Sequence, residues 1–205
     1  PYSYNDPLLW NDYIATTDQN GSYEIGSLIP DVVSYTVYFY DSSGNHIIEY
    51  YDNQTNIDSA TKFTPHARQT ISNVNAVLEK AAHISGTITL QGEAPYLEGT
   101  VNLWRKADSE WQNVASGSID KTSGNYHFSG LSAGTYRVCA AYYYVNYESI
   151  GSCFGGKNRD DALDVSLSVG EIRNNTNFDI STKMYDGSIS GKVNANGMPL
   201  SGINV

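Results

Sequence analysis

The sequence predicts an all-β protein, on three observations. Tyrosine occurs 17 times in 205 residues, beside many Val, Ile and Thr, the types that fit a pleated, half-buried surface. Glycine occurs 18 times, with plentiful Asn, Asp and Ser to build turns. No stretch keeps apolar residues at helical spacing long enough to predict a helix.

The strands follow from an internal repeat. TTDQNGSYEIGSLIPDVVSYTVYFY, from Thr16, aligns with SIDKTSGNYHFSGLSAGTYRVCAAY, from Ser118. Gly21 and Tyr23 match Gly124 and Tyr126, Leu28 matches Leu131, and Tyr35 and Val37 match Tyr136 and Val138. Ala60 then matches Ala162, and Asn-Ala-Val-Leu at 75–78 matches Asn-Phe-Asp-Ile at 177–180. Finally HISGTITL, from His83, matches SISGKVNA, from Ser188. The chain reads as tandem copies of a module of about a hundred residues. The first occupies 1–82 and the second 83–183, while 184–205 holds the opening strand of a next module or a donor strand.

In the second copy strands are expected at 84–90, 100–105, 112–118, 125–129, 135–143, near 147–153, at 163–169 and at 174–180. Strands of this length and spacing, alternating as in Tyr126-His127-Phe128, predict a two-sheet sandwich. In each Asp-Gly-Tyr step, Asp18 or Asp120 starts a turn with its carboxylate. Gly21 or Gly124 then takes a positive φ before the tyrosine turns inward. In the tail, Ile189, Lys192 and Val193 read as a short strand, Asn196-Gly197 as a tight turn, and 199–205 as a second strand starting.

The leading I-S-G-x-[IV], the D-x-x-G-x-Y-x-[IF]-x-x-L, the G-x-Y-x-V, a late Ala and a closing N-x-x-[LI] resemble the carboxypeptidase regulatory-like modules. These are similar to the B-type repeats of bacterial surface adhesins. The resemblance covers nearly the whole chain and implies tandem prealbumin-like (Ig-like) antiparallel β-sandwiches, used as stalks, spacers or accessory domains of secreted and surface proteins. The first copy departs from the pattern: PYSYNDPLLWNDYIATT contains no I-S-G-x-[IV], so that module lacks its opening strand.

With 12 basic against 22 acidic residues, the net charge of −10 argues against nucleic acid and anionic membrane surfaces as partners. The longest apolar run, 138–145, is far shorter than the ~20 residues of a membrane-spanning helix. Cys139 and Cys153 are the only cysteines, on successive strands joined by a loop. An antiparallel pairing would place them in bonding range, and a disulfide would imply an oxidising, extracellular or cell-surface location; two free buried thiols are the alternative. The alignment sets Cys139 against Tyr38 and Cys153 against Tyr51.

No catalytic constellation is legible, and no cofactor is expected. The four histidines, His46, His66, His83 and His127, fall in different elements. GSCFGGK at 151–157 satisfies G-x-x-x-x-G-K, but Asn158 stands where a phosphate loop needs Ser or Thr, and a strand follows instead of a helix. Asp160, Asp161 and Asp164 share a loop that could hold calcium, as some related adhesin repeats do; turn capping and surface solvation are the preferred reading. Trp104, Trp111, Tyr142, Tyr144 and Tyr147 could form a glycan-stacking platform, or pack in the core. Related repeats can also join an early-strand Lys to a late-strand Asn by an isopeptide bond, which the resemblance would carry to Lys192 and Asn75.

The expected function is a non-enzymatic structural module, a stalk or filament unit whose partners are copies of itself or adjacent modules. Either the tail begins a third module of a longer array, or Ile189, Ser190, Gly191, Lys192 and Val193 complete the first module of another molecule by strand addition. A glycan-binding accessory module is the alternative.

Overall fold

The computed structural model describes residues 13–92, 99–143, 149–181 and 190–204. All regular structure among them is β: β1 (Tyr38–Phe39), β2 (Glu49–Tyr50), β3 (Ala82–Gln91), β4 (Gly99–Ala107), β5 (Glu110–Ser118), β6 (Asn125–Leu131), β7 (Gly134–Tyr143), β8 (Ser149–Cys153), β9 (Val165–Leu167), β10 (Ile172–Arg173), β11 (Phe178–Ser181), β12 (Asn194–Ala195) and β13 (Met198–Pro199). The chain divides into two compact units, Pro1–Ala82 with Ser129–Ser132, and His83–Phe128 with Ala133–Val205.

The second unit carries two sheets, the β-sandwich the strand pattern predicts. One has the order β5-β4-β7-β8, with β9 also on β7. In the other, β3 is the shared partner of β6, β10 and β11. Its ladders to β10 and β11 are parallel, pairing Ile172 with His83 and Phe178 with Ile88. Burial alternates along β4, β6 and β7 with the two-residue period of a strand. That alternation sends Ile84, Ile88, Val101, Leu103, Phe128, Val138 and Ile180 into one core. Each fully buried aliphatic side chain stabilises by roughly 1.5–3 kcal/mol.

The expected strand at 174–180 is shorter in the structure. Asn175 takes a φ of 63°, which interrupts the extended chain, and only Phe178–Ser181 pairs as β11. The expected 163–169 strand likewise reduces to Val165–Leu167.

Several pairings in the first unit correspond to pairings in the second, with less sheet. Tyr35 bridges Phe63, as Tyr136 pairs with Val165. Tyr38 pairs with Tyr50, as Cys139 pairs with Cys153. Tyr50 exchanges hydrogen bonds with Gln54, as Cys153 does with Gly156. The partner of Cys153 in the first copy is therefore Tyr50, not Tyr51. The sequence alignment slipped by one residue there because the intervening loops differ in length. Across residues 13–80 only Ala60 and Pro65 are buried. Segments 21–26 and 74–79, which correspond to β6 and β11, form no strand.

The tail forms a hairpin, with Ala195 opposite Met198 around Asn196 (φ 51°) and Gly197 (φ 80°). A hydrogen bond from Leu200 N–H to the Val193 carbonyl extends it by one step, and the second strand ends at Pro199 rather than running on to 205. Residues 190–204 are exposed throughout.

Candidate functional site

The two Asp-Gly-Tyr turns lead into the feature that distinguishes the units. Asp18 Oδ1 accepts from the backbone N–H groups of Asn20 and Ser22, and Gly21 follows at φ 78°. Asp120 Oδ1 accepts from Thr122 N–H and Ser123 N–H, and Gly124 follows at φ 71°. These bonds hold both carboxyls below their ordinary range, the Ser22 amide acting most on Asp18 and the Ser123 amide most on Asp120.

Each turn delivers its tyrosine to one carbonyl. Tyr126 Oη donates to the Thr176 carbonyl at 2.5 Å, and Tyr23 Oη donates to the Val74 carbonyl at 2.6 Å. The pairs correspond in the repeat, so one side-chain bond ties the post-turn segment to the late segment in both copies. Burial drives the Tyr126 hydroxyl well above the usual tyrosine range. Tyr23 is raised by burial and then by Tyr51.

What differs is the strand over that bond. In the second unit β3 passes across it at Gly86. A Cβ there would stand 2.3 Å from the Thr176 oxygen and 2.8 Å from the Tyr126 hydroxyl. The I-S-G motif is thus a steric requirement, since no other residue lets the strand approach. Thr176 N–H donates to the Ser85 carbonyl, and Thr87 N–H donates to Asn177 Oδ1. Ile84 and Ile88, flanking the glycine, face the core.

In the first unit no described residue covers the Tyr23–Val74 bond as β3 covers its counterpart. Tyr23, Ile25, Val74, Ala76 and Leu78 still alternate as inward residues, but all are only half-buried. Their counterparts Tyr126, Phe128, Thr176, Phe178 and Ile180 are buried. Asn75, the counterpart of Asn177, is exposed. The two segments keep the alternation of strands without forming strands, because the partner that would hydrogen-bond both is missing from the described residues.

The other sequence-derived candidates fall elsewhere. Cys139 and Cys153 form a disulfide between directly opposed residues of β7 and β8, Cα atoms 4.0 Å apart. Trp104 and Trp111 carry guanidinium groups on their rings: Arg159 lies 4.9 Å from the Trp104 centroid and Arg137 4.3 Å from that of Trp111. Tyr142 packs on the backbone of Gly99, while Tyr144 and Tyr147 lie outside the described residues. The three aspartates do not converge. Asp164 pairs with Arg137 at 2.7 Å, Asp160 with Arg159 at 3.2 Å, and Asp161 accepts from Asn158 N–H. Among the described residues no three His, Cys, Asp or Glu are grouped to hold a metal ion. Ser190, Gly191, Lys192 and Val193 lie exposed ahead of the hairpin, and Ile189 is outside the described residues.

The histidines are less scattered than the sequence suggests. His83 Nδ1 and His127 Nε2 stand 3.4 Å apart on β3 and β6, which only the strand register brings together. His127 is lowered by burial and then by His83. His66 pairs with Asp31, and His46 with Asp41 at 2.8 Å. Asp41 also accepts from Ser43 Oγ at 2.6 Å. Here the carboxylate stands between Ser and His, whereas a hydrolytic triad needs the imidazole between them to take the hydroxyl proton.

No protein-family model and no curated protein matches the chain. Among solved structures it is similar to the group B streptococcus pilus 2b backbone protein, at 18% identity and a TM-score of 0.27. The match covers 70% of this chain and 52% of that one, so the chain spans about half that protein's length.

Proposed function

We propose that the chain is a non-enzymatic structural module, a stalk or filament unit of the cell surface or extracellular space, which assembles by strand addition. The observation that carries this reading is the first unit's tyrosine–carbonyl bond. Among the described residues it lies under no strand of the kind that covers the same bond in the second unit. Segments that keep strand alternation without a strand partner are a template for another chain. Head-to-tail contacts of this type build a filament when the rotation between copies does not close into a ring. The Cys139–Cys153 disulfide supports an oxidising location.

Light scattering and electron microscopy of the purified protein test the reading. Association into linear oligomers that grows with concentration is expected; a monomer at every concentration would overturn it. Intact mass under denaturing conditions separates strand addition from a covalent Lys192–Asn75 link, which would persist as a multimer. A glycan array tests the alternative accessory role. The arginines stacked on Trp104 and Trp111 would have to leave those faces for a sugar to stack there, so no retained glycan is expected.

A further inference from the structure

We infer that the strand position of the first unit is read by a glycine, and that its occupant is the segment Ser190-Gly191-Lys192-Val193 of a second copy, seated with Gly191 over the Tyr23–Val74 hydrogen bond. This rests on the strand-addition reading and fixes its partner and register.

The seat is defined by β3. Gly86 is the residue that crosses the Tyr126–Thr176 bond, where any Cβ collides with backbone. Three contacts anchor the crossing: the Thr176 N–H bond to Ser85, the Asn177 side-chain bond to Thr87 N–H, and the parallel ladder that begins with Ile88 opposite Phe178. Each acceptor-side element recurs in the first unit. Val74 stands for Thr176, Asn75 for Asn177 and Ala76 for Phe178. Asn73 even repeats the left-handed turn of Asn175, at φ 64° against 63°.

The tail supplies the matching set. In the alignment of HISGTITL with SISGKVNA, Ser190 takes the place of Ser85, Gly191 of Gly86, Lys192 of Thr87 and Val193 of Ile88. Seated in the same register, the Ser190 carbonyl accepts from Val74 N–H and Lys192 N–H donates to Asn75 Oδ1. Val193 enters opposite Ala76, and Asn194 lies opposite Val77. Apolar cover from Val193 falls on the half-buried row of Tyr23, Ile25 and Leu78.

A second, independent observation concerns Gly191 itself. It needs no left-handed backbone here, and no atom lies within 4 Å of a Cβ built on it. Within its own chain, then, neither a turn nor close packing calls for glycine at this position. A second copy that threads this residue past the Tyr23–Val74 bond does.

The test is a register-specific cross-link. Val77 is 90% exposed, and Asn194, opposite Pro199 in the tail hairpin, is exposed. One protein carries Val77→Cys and the other Asn194→Cys; they are mixed under mild oxidation that leaves the native disulfide intact. A disulfide-linked heterodimer is expected, and adding Gly191→Val to the Asn194→Cys protein should cut its yield about tenfold or more. Since Gly191 sits in open space, that substitution leaves the donor's own fold unchanged, which its thermal unfolding curve checks. Equal cross-linking with and without Gly191→Val overturns the proposal. Self-association without the 77–194 cross-link overturns this register and occupant while leaving a self-assembling module standing. A protein that stays monomeric and does not cross-link overturns both.

Discussion

Thr176 shows how one residue can be right for the backbone and wrong for the side chain. It is fully buried, its carbonyl takes the Tyr126 hydroxyl and its N–H reaches Ser85, yet its own Oγ1 has no hydrogen-bond partner. A buried hydroxyl without a partner costs about 1–3 kcal/mol of desolvation. The first copy has Val74 here, with the same carbonyl role and no hydroxyl. Thr176→Val should therefore raise stability by about 1 kcal/mol in urea unfolding, whereas a lower midpoint would show that the hydroxyl is satisfied in solution. The turn aspartates set an acid limit. Asp18, Asp41, Asp120 and Asp161 all have folded pKa values below the ordinary carboxylate value. Their contribution is thus present above the unfolded pKa of about 3.9 and is lost as pH falls through the folded values. The thermal midpoint should drop below about pH 4, with a shallower acid slope in Asp120→Asn; an unchanged slope would remove Asp120 from that account.

At the scale of elements, the strand over the tyrosine bond decides how much structure a copy has. In the second unit β3 gives β6, β10 and β11 a common partner; in the first, the same alternating sequence forms no strand among the described residues. Gly86→Val should lower the stability of the second unit by more than an ordinary surface change, at least about 2 kcal/mol, because the added atoms meet backbone rather than a movable side chain. Little loss would mean that β3 can shift off the bond. The staple between β7 and β8 acts on the same unit. It closes a loop between residues 14 apart, so reduction or the double Cys→Ala variant should cost about 3 kcal/mol on the loop-entropy account. The first copy has the Tyr38–Tyr50 ring contact there instead, centroids 5.9 Å apart.

Much of the element pattern was legible because strands announce themselves by alternation and turns by Asp and Gly. Strands at 84–90, 100–105 and 135–143 all form, the first two longer by three residues in the structure and the third by one. What stayed hidden were the histidine and arginine contacts that depend on register across strands. His83 meets His127, and Arg137 meets Trp111 and Asp164, only through pairings that one-dimensional spacing does not encode. The tyrosine–carbonyl bond left a trace in the repeat, a Tyr conserved between copies and a Gly in each I-S-G. The reason for that glycine, however, is a contact with a residue some ninety positions away.

At the scale of the whole molecule, the two copies make one argument. The second shows what the repeat becomes when its opening strand is in place. The first shows the same tyrosine bond with nothing among the described residues lying over it, and the proposed strand addition seats residues 190–193 of a second copy there. A net charge of −10 makes copies repel, so raising salt from ~0.01 M to ~0.15 M should strengthen association as the Debye length falls from about 30 to 8 Å. The most direct test is amide hydrogen exchange of segments 21–26 and 74–79 as protein concentration rises. The account predicts that these amides, Val74 above all, become protected with concentration in the wild-type protein and stay fast in Gly191→Val. Exchange in those segments that is independent of concentration, or equally protected in both proteins, would contradict it.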